Sequence, residues 1–66
     1  MNLDRYKVAD LLMKGKLESA RNYVNAFRKH DLATRIDELI FSDDQDYPSL
    51  LEDIIVYDLG IKIEGL

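Results

Sequence analysis

Apolar residues recur along the first forty positions at intervals of three and four, the spacing that lays one stripe along an α-helix. In residues 3–14 the stripe is Val8, Ala9, Leu11, Leu12 and Met13, broad enough to touch more than one neighbour. Asn2 stands where an N-cap belongs, Asp4 suits a first turn, and Gly15 supplies the stop. Leu17, Ala20, Val24 and Phe27 predict a second helix over 17–29 with one buried face. With only Gly15 and Lys16 between them, the two helices must form a tight αα-hairpin or a helix-turn-helix crossing. Asp31 is placed to cap a third helix, on which Leu32, Ile36, Leu39 and Ile40 share a face.

The period lapses over residues 42–48, where Asp43, Asp44 and Asp46 precede Tyr47 and Pro48, so this stretch reads as a loop. A fourth helix over 49–58 follows, started by Pro48 or capped by Ser49 with Glu52 three residues on, and ended by Gly60. Its apolar side is Leu50, Leu51, Ile54, Ile55 and Tyr57, and the β-branched run Ile54, Ile55, Val56 also suits a strand. Residues 61–64 alternate apolar and polar with period two. Because a lone strand is unstable, they predict an extended arm packed on the helices or paired with another copy. The expected fold is all-α: one domain over residues 1–66, a compact bundle of about four short helices beginning with an αα-hairpin, plus a short extended C-terminal arm.

Leu12, Gly15, Leu17, Ala20, Tyr23 and Val24 resemble the centre of a tetratricopeptide repeat, in which a glycine turns the hairpin and a small alanine lets two helices approach. The chain departs from that pattern at Asp4, at Lys7 and Val8, at Phe27 and at Leu32, and its second half does not repeat it. A generic helical hairpin accounts for the same residues.

A chain of 66 residues, 47% hydrophobic and 33% charged, is apolar enough to fold but buries only about 60% of its unfolded surface, so its stability should be thin. It has no cysteine to supply a disulfide or a thiolate metal site. No long apolar run suggests a signal peptide or membrane span, and the default expectation is a cytoplasmic protein.

Charge divides the chain more sharply than the net value of −4 suggests. Residues 1–35 hold eight Lys and Arg against four acids, net +4, whereas residues 36–66 hold one base against nine acids, net −8. Such asymmetry either steers a partner or neutralises itself when the halves pack together. The densest acidic stretch, Asp43, Asp44, Asp46, Glu52 and Asp53 around Tyr47, is the first candidate site: a carboxylate surface that docks on a basic partner with Tyr47 as an amphipathic anchor. It lacks the ligand order, central glycine and closing glutamate of a calcium loop. The second candidate is the basic set Lys14, Lys16, Arg21, Asn25, Arg28 and Lys29 on and beside the second helix, since Arg and Asn read base edges and Lys holds phosphates. Lys16 and Arg21, however, stand where a helix-turn-helix places apolar residues.

The one histidine, His30, is expected at the C-terminal end of the second helix as a cap or surface group. No glycine-rich phosphate loop, HExxH or GxSxG occurs, and no hydroxyl has a recognisable base partner. The sequence therefore predicts a non-enzymatic binding protein without cofactor or metal, a regulator or inhibitor docking on another protein through its acidic, partly apolar C-terminal half. A nucleic-acid-binding regulator and a structural subunit are the alternatives. Crowding of Leu50, Leu51, Ile54, Ile55, Val56, Tyr57, Leu59, Ile61, Ile63 and Leu66 near the C-terminus further predicts a symmetric homodimer through that apolar segment.

Overall fold

In the computed structural model, which describes residues 2–62, the chain forms four helices: α1 (Arg5–Met13), α2 (Leu17–Ala26), α3 (His30–Ile40) and α4 (Tyr47–Asp53), the last continued by a π-helical turn over Ile54–Asp58. There is no strand among the described residues. The radius of gyration, 11.1 Å, matches the roughly 11 Å of a fully compact chain this long.

Capping decides where each helix begins. Asp4, not Asn2, caps α1: its Oδ1 accepts from the backbone N–H of Tyr6 at 3.0 Å and of Lys7 at 3.2 Å. A carboxylate makes the stronger, charge-assisted cap, and the later start leaves Leu3 free to pack on the core. α3 starts at His30, one residue before the expected cap, so Asp31 lies inside its first turn and Lys29 takes the cap position without a side-chain bond. α4 starts at Tyr47, with Pro48 in its first turn, where the missing N–H is no loss. Ser49 is therefore helical and caps nothing.

Three helical segments end at a left-handed residue, and α1 and α2 do so through the same pair of bonds. Lys16 N–H bonds Leu11 O at 2.9 Å and Gly15 N–H bonds Leu12 O at 3.1 Å, with Gly15 at φ 76°. This pair of bonds is the Schellman ending, which needs a left-handed residue. Gly60, at φ 67°, ends the π turn with Ile61 N–H on Ile55 O at 3.0 Å. α2 closes identically, through Lys29 N–H on Val24 O at 3.1 Å and Arg28 N–H on Asn25 O at 2.9 Å, but the left-handed residue is Arg28, at φ 60°. The helix expected over 17–29 thus stops at Ala26, for want of a glycine to mark it.

The core gathers Val8, Leu12, Ala20, Val24, Ile36, Leu39 and Ile54, all essentially without solvent contact, with Ala9, Ala33, Ile55 and Leu59 beside them. The β-branched run is accommodated by widening the helix, not by breaking it. Leu59 N–H bonds Ile54 O at 2.9 Å, an i→i+5 closure, which sets Leu59 instead of Asp58 over Ile54 and buries both. Tyr57 is turned outward at 78% exposure, and Met13 at 72% leaves the α1 stripe to Val8, Ala9 and Leu12; both were expected on apolar faces. The crowded C-terminal apolar run is in part absorbed at home, since Ile54, Ile55 and Leu59 lie in this core and Ile61 packs against it. Ile61 and Lys62 are neither helix nor strand, and the remainder of the predicted arm, residues 63–66, lies outside the described residues. No helix among the described residues is long and apolar enough to cross a membrane.

Candidate functional site

The two ends of α3 carry opposite charge. Beyond its C-terminus, the segment between α3 and α4 holds Asp43, Asp44 and Asp46, all exposed, and Glu52 and Asp53 are exposed on α4. Asp43 Oδ1 accepts from the Asp46 backbone N–H at 2.9 Å, which fixes the turn. None of these five acids enters an ion pair among the described residues. The other described acids of this half do: Asp37 meets Arg21 Nη1 at 3.4 Å, while Glu38 and Asp58 each take a 2.8 Å bond from Arg35. Packing the halves together thus neutralises part of the charge asymmetry and leaves the loop and α4 acids as the residue of it. The bond that Arg35 donates to Asp58, foremost, holds the Arg35 pKa above its ordinary value against the opposing effect of desolvation.

Tyr47, expected as the aromatic anchor, is half-buried against the core. Phe41 is instead the exposed aromatic beside the acidic turn. It caps the C-terminus of α3, stands 85% exposed and directly precedes the acidic turn. The spacing could have shown this, because Phe41 falls five residues after Ile36 and two after Leu39, off the stripe those residues share.

The basic residues do not form the helix face that base reading requires. Lys14 follows α1 and pairs with Asp10 at 2.9 Å, Lys16 lies in the α1–α2 turn, and Arg28 and Lys29 lie in the α2–α3 turn. Only Arg21 and Asn25 belong to α2. Arg21 leans on α3 through Asp37, and its Nε is buried without a hydrogen-bond partner. Asn25 Oδ1 lies 3.3 Å from His30 Nδ1; His30 opens α3 instead of ending α2, which reverses the dipole argument made for it.

At the N-terminal end of α3 the structure assembles something the spacing did not suggest, an open groove of about 1200 Å³ between the N-terminal segment, the α2–α3 turn and the end of the π turn. Leu3, Phe27, Leu32 and Leu59 line it together with Arg5, Arg28, Lys29, His30 and Arg35, and Asp31 and Asp58 are its only acids among the described residues. Asp58 is spent on Arg35. Compared with protein-family models, with curated proteins and with solved structures, the chain finds no match in any of the three. Among the described residues no group of three or more His, Asp or Glu side chains converges where a metal ion could sit.

Proposed function

We propose that this chain is a small non-enzymatic binding protein, a regulator or inhibitor that docks on a basic surface of another protein through the acidic end of its bundle. The observation that carries the reading is the conjunction of five exposed acids outside every described ion pair with Phe41 at 85% exposure beside them. Exposed carboxylates raise the rate of encounter with a basic partner. A desolvated aromatic at the centre of the contact supplies the energy that slows its release. Contacts of this kind depend on salt in a way that burial of apolar surface does not.

The experiment uses a partner captured on the immobilised chain. Neutralising Asp43, Asp44 and Asp46 to Asn should slow association, and Phe41→Ser should speed dissociation, with the circular dichroism spectrum of both variants unchanged. If both variants bind the partner as the parent chain does, the acidic end is not the docking surface.

A further inference from the structure

We infer that the groove at the N-terminal end of α3 receives the Phe41–Asp46 segment of a second copy, so that the chain associates head to tail. The inference rests on the docking role of the acidic end, and it adds the site that this end fits on the chain itself.

Local rules of helix building are broken at two adjacent groove residues. Arg28 holds a left-handed conformation, φ 60°, at the Schellman position that glycine fills after α1, and glycine is also the left-handed residue after the π turn. Lys29 holds the α3 cap position and makes no capping bond, although Ser, Asp or Asn there would. Both are cationic, and both stand at a helix end whose dipole already favours anions. The opposite end of α3 is charged against its dipole too, with Asp37 and Glu38 in the last turns, no base there, and Asp43 and Asp44 just beyond. Local features that work against the fold and are nonetheless present mark a place where function sets the sequence. Lys16 stands at the start of α2 without a capping bond as well, so the departure particular to the groove is the left-handed Arg28, which with Lys29 sets two cations at the N-terminal end of α3.

The two ends also match in chemistry. The groove is lined by Leu3, Phe27 and Leu32 together with Arg5, Arg28 and Lys29. The acidic end offers one exposed phenyl ring, Phe41, followed after Ser42 by Asp43 and Asp44. The eleven residues of α3 separate the ends by about 16 Å. A single copy therefore cannot fill its own groove with this segment; joined head to tail, each contact is heterologous and leaves one groove and one acidic end open, whereas a reciprocal two-fold pair would stop at two copies.

Complementation tests this directly in the full-length chain. One variant carries Arg28→Gly and Lys29→Asp, substitutions that repair the local rules and so keep the fold; the other carries Phe41→Ser, Asp43→Asn and Asp44→Asn, all at exposed positions. Sedimentation equilibrium at about 50 mM salt should show the parent chain forming multimers, each variant alone sedimenting at the 7.7 kDa chain mass, and their mixture forming a 1:1 pair that stops there. At about 0.5 M salt the association should weaken by about tenfold or more. A parent chain that stays at the mass of one copy, a variant that still associates alone, or a mixture that forms no pair overturns the inference. Partner binding distinguishes this from failure of the docking role: the groove variant should still bind the captured partner, whereas the Phe41 variant should not.

Discussion

Arg35 Nε donates to Asp58 Oδ2 at 2.8 Å, tying the middle of α3 to the last residue of the π turn. The bond exists because the i→i+5 closure turns Leu59 inward and leaves Asp58 at the surface, facing α3. Arg35 Nη1 meets Glu38 Oε2 at 2.8 Å as well, so one guanidinium joins two carboxylates. As the group is about one-third exposed, its contribution is screened, and about 1 kcal/mol is the expected scale. Asp58→Asn should therefore lower the melting temperature by about 4–8 °C in a chain of this size.

The pH dependence of that loss follows from the direction of the Arg35 shift. A pKa raised on folding contributes stability that is complete below the unfolded-state value and fades only as pH rises through the folded one, which for this arginine is raised beyond an already strongly alkaline ordinary value. The difference in melting temperature between the parent chain and Asp58→Asn should stay level from neutrality to about pH 10. A difference that collapses between those limits would mean that another group carries it.

Repair of the α2–α3 turn should stabilise the fold. Arg28→Gly relieves about 1–2 kcal/mol of left-handed strain and returns part of it as unfolded-state entropy, for a net gain of roughly 0.5–1 kcal/mol. Lys29→Asp adds a cap and favours the α3 dipole, worth about 1 kcal/mol. Thermal melts followed by circular dichroism should rise for each, and a fall for either would show that the wild-type residue makes a folding contact at that position.

The core prediction is simpler. Ile36 has no solvent contact, and its replacement by Ala should cost about 2–5 kcal/mol. Total stability at this length is only about 3–10 kcal/mol, so the loss is a large share of it and the denaturant midpoint of the Ile36→Ala chain should fall well below that of the parent chain.

How far the sequence could be read depended on whether a residue's local chemistry was also its tertiary fate. Four helices and the stops at Gly15 and Gly60 were legible because periodicity and the left-handed preference of glycine act locally. The end of α2 was not, since Arg28 fills a glycine position, and the start of α1 was not, since Asn2 and Asp4 both suit a cap. At the candidate site the acids were legible as a cluster, whereas the exposed aromatic beside them is Phe41 and not Tyr47. Tyr47 opens α4 and is drawn onto the core, while Phe41 ends α3 off its buried stripe. The groove brings together Leu3, Phe27, Arg35 and Leu59 from distant parts of the chain, and no spacing rule reaches across such separations.

Nucleic-acid binding has a plain expected outcome. The basic residues are dispersed over two turns and α2, with Lys14 and Arg21 in ion pairs. A gel-shift assay with duplex DNA at about 50 mM salt should show no complex. A complex whose affinity falls steeply with salt would instead return the basic residues to the centre of the account.

The docking role of the acidic end is tested most directly by stopped-flow association with the captured partner, comparing the parent chain with the Asp43, Asp44 and Asp46 triple Asn variant at low and high salt. The account predicts a rate lower by about tenfold for the variant at about 50 mM salt and nearly equal rates at about 0.5 M, where the Debye length shrinks to a few ångströms. Equal rates at low salt, with both proteins fully folded, would contradict it.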